Sequence, residues 1–184
     1  MRARTLSQLR IGFTLIVTLA TLAHLLWQHV DGGVPSHHLL HRADLPSVSN
    51  WWSLLLLPSL SWFLIGRAGR RISARPEEGS VAAGGWSAVA GFASALLMGS
   101  LISVSFAHGH ESMTSYAFFG TILLALLLPA YRAECLLGFV LGMAWTFGGV
   151  LPAIVGSVIA TVSAVVHLYV VPTLVRFWRR LGSA

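Results

Sequence analysis

The run IGFTLIVTLATLAHLLWQ, residues 11–28, decides the fold. Arg2, Arg4 and Arg10 precede it, and it holds no charged residue of its own. A bilayer core takes about 20 apolar residues in a helix, with a range of roughly 17 to 25. Residues 11–28 meet that length. The polar residues near it are not scattered. Thr14, Thr18, Thr21, His24, Gln28 and Asp31 recur every three or four positions, along one helical face. A polar stripe on a membrane helix faces its neighbours or a wet cavity. A basic start and an apolar centre also suit a cleaved signal peptide. The apolar run continues to Trp27 without a good A-x-A site, so it reads as a retained anchor.

The rest of the chain extends that reading. Of its 184 residues, 55 % are hydrophobic and 10 % charged, with a mean hydropathy of +0.75. Soluble domains carry about 25 % charged residues. Further apolar segments fall at 50–66, 81–107, 115–131, 135–150 and 153–175. The expectation is an all-α integral membrane protein, a six-transmembrane-helix bundle forming one membrane domain over residues 1–184. The second and fifth segments are short, and the third is long enough to tilt.

The arginines orient it. Arg2, Arg4 and Arg10 precede the first segment; Arg67, Arg70, Arg71 and Arg75 follow the second; Arg132 lies between the fourth and fifth; Arg176, Arg179 and Arg180 close the chain. With six spans, all of these fall on one face, and only Arg42 lies on the other. Positive charge marks the cytoplasmic side. Both termini are then cytoplasmic, in a bacterial-type inner membrane. The pI near 11.1 is thus a topology signal, not a sign of nucleic-acid binding. Trp27, Trp51 and Trp52 suit the outer interface and Trp178 the inner one. RAGRRISARPEEGS reads as a polar cytoplasmic loop, and GGVLP, residues 148–152, as an outer turn. Glu134 reads as an arginine-paired residue at the inner boundary.

Small residues recur on single faces. These are Gly91, Ala95, Gly99 and Ser103, then Gly138 and Gly142, then Gly156, Ala160, Ser163 and His167. Such stripes let helices approach closely in lipid. Pro58, Pro129 and Pro172 lie inside or near the ends of segments and are expected to kink helices. The single Cys135 excludes an internal disulfide and reads as a small helix residue.

On this threading His24, His29, His37, His38, His41, His108 and His110 share the outer face, with Asp31, Asp44 and Glu111. Gly32 and Gly33 are expected to end the first helix near Asp31. Residues 29–49 form a histidine-rich outer loop. Ser36 is expected to cap a short interfacial helix ending before Pro46. There His37 and His41 would be i,i+4 neighbours, a spacing that can put two imidazoles on one metal. His108, His110 and Glu111 would add ligands from the next outer loop. Imidazole and carboxylate without thiolate suit zinc, iron or copper.

The first functional expectation is therefore a membrane metalloenzyme acting on a lipid or lipid-linked substrate by hydrolysis or oxidation. Its metal ligands would come from His24, His37, His38, His41, His108 and His110. Asp31 or Glu111 would be the general base. The alternative is a metal-ion or proton-coupled transporter, with the threonine stripe and His167 as its path. A further alternative is a non-catalytic subunit or pH sensor. Assembly into a homo-oligomer or larger membrane complex fits each. His24-x4-His29 resembles one histidine box of membrane di-iron hydroxylases and desaturases, but the later boxes are absent, so no family assignment follows.

Overall fold

A computed structural model describes residues 3–34, 36–38, 47–74 and 78–181. Helix α1 spans Ala3–Val30. It stops where expected, at the Gly32–Gly33 pair, whose φ angles of +114° and +105° are unfavourable for other residues. The Gly33 N–H closes the end on the Gln28 carbonyl at 3.0 Å.

The outer loop departs from the expected helix. Ser36–His38 form a short strand β1, paired antiparallel with β2, Ser47–Ser49, with His37 opposite Val48. A helix this short is costly to nucleate, whereas strand pairing satisfies its backbone groups from a partner. His41, Arg42 and Asp44 lie outside the described residues.

A 3-10 turn, Asn50–Trp52, leads into α2, Ser53–Ser73. This helix runs past the expected end at 66 and takes Arg67, Arg70 and Arg71 into its final turns. Arginine is a good helix former, and the helix dipole favours cations at a C-terminus. Most of the expected cytoplasmic loop is thus helical.

Helix α3 spans Glu78–Ala107, α4 Glu111–Leu127 and α5 Ala133–Phe147. The end of α4 is set by Pro129, because a residue before proline avoids helical geometry. Leu128 is extended accordingly, at φ −116° and ψ 151°. The last rod comprises α6, Val150–Val165, a π turn at Val166–Val170, and α7, Val171–Leu181. Pro172 lacks an N–H and crowds the preceding turn. The widened turn accommodates it, with the Val171 N–H reaching the Val166 carbonyl.

Three helical stretches, Arg4–Val30, Ala83–Ala107 and Val150–Arg180, are long and apolar enough to cross a membrane. Many large apolar side chains on them are exposed, among them Ile16, Leu19, Leu97 and Val158. This is a membrane protein's surface, apolar where a soluble protein would be charged. At 1.5 Å per residue α5 is only about 22 Å long. It is also the central helix, with Leu137, Gly138, Phe139, Val140, Gly142 and Met143 all buried. Protein, not lipid, surrounds most of it.

The small-residue stripes identify its neighbour. Helices α3 and α5 run parallel and touch backbone to backbone. A side chain at Gly99 would strike the Phe139 carbonyl, and one at Gly142 would strike that of Leu96. Ser103 donates to the Thr146 hydroxyl at 2.5 Å at the far end. Val17 of α1, Leu57 of α2 and Val140 of α5 form one buried cluster; Ile102, Phe139 and Met143 form another.

Helices α1 and α2 run antiparallel. Leu6 meets Gly69 and Arg10 meets Gly66 at one end. The Arg10 guanidinium also lies 4.0 Å from the centre of the Trp62 ring. At the other end Gln28 meets Asn50. The bundle therefore has an arginine-rich end and an end built around His24.

Candidate functional site

The polar face of α1 turns inward, as its periodicity predicts. Val17, Thr21 and Leu25 are buried, and His24 and Gln28 are partly so. Lower on this face two of the three hydroxyls are spent on their own helix, while Thr14 Oγ1 is buried without a partner among the described residues. Thr18 donates to the Thr14 carbonyl at 2.8 Å and Thr21 to that of Val17 at 2.7 Å. Back-bonding of this kind lets threonine sit in an apolar helix.

At the upper end the bonds leave the helix. The backbone N–H of Gly149 donates to Ser53 Oγ at 2.8 Å. Ser53 donates to Asn50 Oδ1 at 2.8 Å, and Asn50 Nδ2 to Gln28 Oε1 at 3.1 Å. Gln28 Nε2 then lies 3.0 Å from His24 Nε2. This chain joins α1, α2 and the α5–α6 turn. Asn50 and Ser53 are only 5 % and 3 % exposed, so these bonds matter: a buried polar group left unpaired costs about 1–3 kcal/mol.

The two glycines of the turn make the approach feasible. Gly148 has φ +69°, and a side chain there would run into Asn50 Oδ1. One at Gly149 would crowd Leu57 and Ser53 Oγ.

The His24 ring forms a cluster with two tryptophans, whose own ring centres are 5.9 Å apart. Its centre lies 4.1 Å from that of Trp145 and 6.0 Å from that of Trp27. The Trp145 carbonyl is also 3.2 Å from Nε2. That carbonyl asks for a proton on Nε2, and the Gln28 amide asks for a lone pair there. The chain starts from Gly149 N–H, which can only donate. Followed from that end, each link donates to the next, Gln28 donates to Nε2, and the proton sits on Nδ1. Either tautomer leaves Nδ1 buried and without a partner among the described residues.

His24, Asn50 and Ser53 line a cavity of about 220 Å³ between α1, α2 and α5, whose other walls include Val17, Leu25, Leu57 and Leu141. The site thus offers one unused ring nitrogen beside an apolar space.

The other expected site residues are placed elsewhere. His108 turns back on its own helix, with Nδ1 2.8 Å from the Val104 carbonyl, and is exposed. His110 precedes α4, Glu111 opens it, and Asp31 follows α1; all three are exposed. The side chains of His37 and His38 lie outside the described residues, as does His41. Among the described residues no three His, Cys, Asp or Glu side chains come close enough to hold a metal ion. His24 is half-buried among the helices with Trp145 against its ring, whereas His108 and His110 are exposed.

His167 sits on the π turn, with Nδ1 2.9 Å from the Ser163 carbonyl and its ring 6.1 Å from that of Tyr131. Ser163 donates to the Leu128 carbonyl at 3.2 Å. Among the described residues no hydrogen bond joins this group to the threonine stripe.

Sequence reasoning named His24 and Gln28 and missed Asn50, Ser53 and Trp145. The only local signal was a polar Asn50 and Ser53 at the start of an apolar segment. No family model, no curated protein and no solved structure matches the chain.

Proposed function

We propose that the chain is a six-span inner-membrane protein with both termini cytoplasmic. Its site at the His24 end receives a lipid or lipid-linked molecule from the outer leaflet. The polar group of that molecule bonds to His24 Nδ1, and its apolar part enters the adjoining cavity. The arginine distribution supports the orientation, since eleven of twelve arginines fall on one face of a six-span threading. The observation that carries the reading is the buried Nδ1, unpartnered among the described residues, of a histidine that lines an apolar cavity. A buried donor without a partner costs free energy until something accepts from it. A carbonyl, ester or phosphate oxygen would do so.

The enzymatic form of this reading is hydrolysis or oxidation of that lipid at a transition metal. It would depend on His37, His38 and His41, because His24, His108 and His110 do not gather.

The test is lipid retention, read by native mass spectrometry on protein purified in mild detergent. His24→Phe keeps the ring stack and removes the nitrogen; His29→Ala, outside the hydrogen-bond chain, is the control. The expected result is a lipid species retained by wild type and His29→Ala, and roughly tenfold weaker in His24→Phe. Equal retention in all three overturns the reading.

A further inference from the structure

The opposite end of the bundle holds a second site that owes nothing to the histidines. A polar cavity of about 400 Å³ lies among the end of α2, the start of α3 and the α4–α5 turn. Arg67, Arg70, Arg71 and Arg132 line it with Ser87 and Glu134. Four guanidinium groups therefore face one carboxylate.

Two of the arginines are engaged. Arg71 pairs with Glu134 Oε1 at 2.6 Å, and Arg132 donates to Ser87 Oγ at 3.1 Å. Arg67 and Arg70 make no side-chain bond among the described residues. Ala133 and Glu134 also line the cavity and open α5, so their N–H groups have no carbonyl one turn earlier within the helix. A helix N-terminus ringed by arginines favours an anion, and arginine's planar fork suits phosphate.

Glu134 adds a second requirement. It is only 5 % exposed, and its Oε2 is buried with no partner among the described residues. Arg71 occupies Oε1 alone. Oε2 is thus an unused acceptor on a residue that lines the cationic cavity. A ligand that carried only a phosphate would leave it unused.

The third feature decides the class of ligand. A second cavity of about 440 Å³ lies against the first, walled by apolar residues that include Leu6, Phe13, Ile65, Trp86 and Leu137. Ala68, Ile72 and Glu134 belong to the walls of both. An arginine-lined chamber thus adjoins an apolar one at the C-terminal end of α2.

From this arrangement we infer that the arginine end binds a phospholipid. The phosphate takes Arg67, Arg70 and Arg132; a hydrogen-bond donor on the headgroup, an ammonium or a hydroxyl, takes Glu134 Oε2; the acyl chain enters the apolar chamber. Ethanolamine and glycerol headgroups supply such a donor, and choline, with no N–H or O–H, does not. The leaflet, cytoplasmic, rests on the orientation proposed above. The site itself does not, and it shares no residue with the His24 cavity.

The experiment is lipid binding to the purified full chain in detergent, read by native mass spectrometry. The probes are phosphatidylethanolamine, phosphatidylglycerol, phosphatidylcholine and, for the headgroup alone, glycerol phosphate. The expected order places the ethanolamine and glycerol lipids above phosphatidylcholine, with glycerol phosphate weakest. Arg67→Gln/Arg70→Gln alters two exposed side chains and leaves the Arg71–Glu134 pair in place. It should weaken the favoured lipids by roughly tenfold or more, since each lost charge-assisted bond contributes. Ala68→Phe, which fills the shared wall, should weaken every lipid and spare glycerol phosphate. Circular dichroism confirms that each variant is folded.

Equal binding of phosphatidylcholine refutes the role of Glu134. Unchanged binding in the double arginine variant refutes the phosphate site. Glycerol phosphate binding as tightly as the lipids refutes the chain-binding chamber and leaves a free-phosphate site. His24→Phe should leave all these affinities unchanged, so failure here is separable from failure of the outer site.

Discussion

Gly148→Ala and Asn50→Ala form a double-mutant cycle that tests the hydrogen-bond chain directly. Gly148 holds φ +69° and ψ −172°, a region only glycine adopts easily. Forcing alanine into it costs on the order of 1–3 kcal/mol. The added methyl also meets Asn50 Oδ1, so Asn50 must move and give up bonds to Ser53 and Gln28. Interhelical hydrogen bonds in membrane proteins average about 0.6 kcal/mol, with a maximum near 1.7. Two such bonds place Asn50→Ala at roughly 1–2 kcal/mol, and Gly148→Ala at roughly 2–5 once strain is added. In the double variant the clash has no target, and only the strain and the Asn50 loss remain. The sum of the single effects should therefore exceed the double by about 1–2 kcal/mol, beyond the 0.3–0.5 within which independent sites add. The assay is unfolding in mixed micelles titrated with SDS, followed by far-ultraviolet circular dichroism. Additive effects would show that Gly148 and Asn50 do not meet, and the reasoning about the site would fall with them.

Further outcomes follow from the same geometry. Arg71 is 36 % exposed and Glu134 only 6 %, so Arg71→Gln strands a buried carboxylate while Glu134→Gln strands a partly solvated cation. Arg71→Gln should lower the melting temperature more, and the reverse order would show that the pair is not the buried contact described. Gly142→Leu should prevent α3 and α5 from closing, at a cost above about 2 kcal/mol, whereas Gly12→Ala has open space and should stay within about 0.5 of wild type. Monodispersity and thermal melts separate the two, and equal behaviour would refute the backbone contact. In a Cys135→Ser background, a membrane-impermeant maleimide added to intact spheroplasts should label Ser112→Cys and not Ser73→Cys. The opposite pattern would invert the proposed orientation. Elemental mass spectrometry should show the same metal content in wild type and His24→Ala, because among the described residues no second and third ligand stand beside that ring. A stoichiometric metal lost in His24→Ala would restore a metal centre through His24.

How much of the site could be read in advance depends on the distance over which each signal acts. His24 and Gln28 stood out because a polar residue inside an apolar run must be accounted for locally. Asn50 and Ser53 carried no such mark, and their partners lie 22 and 96 positions away. The histidine spacing around Ser36 misled in the opposite direction. A spacing of four has meaning only on a helix, and the segment begins as a strand whose partner, Ser47–Ser49, lies beyond the window of local reading.

The sequence alone determined what length and period can encode. It marked apolar runs of membrane length, the inward face of α1, and the glycine pairs that end α1 and turn α5 into α6. It also marked the small-residue stripes on α3, α5 and α6. Each is a property of one helix or one turn, set by backbone sterics and by the cost of polar groups in lipid. Only the tertiary structure decided which surfaces meet. It set α3 beside α5 in parallel, paired Glu134 with Arg71 across 63 positions, and ran the chain of bonds from Gly149 to His24. Apolar helix exteriors are chemically alike and lipid solvates them equally, so hydrophobicity does not choose neighbours. Steric fit between glycine-lined backbones and a few buried polar bonds makes that choice, and both exist only once the helices are assembled.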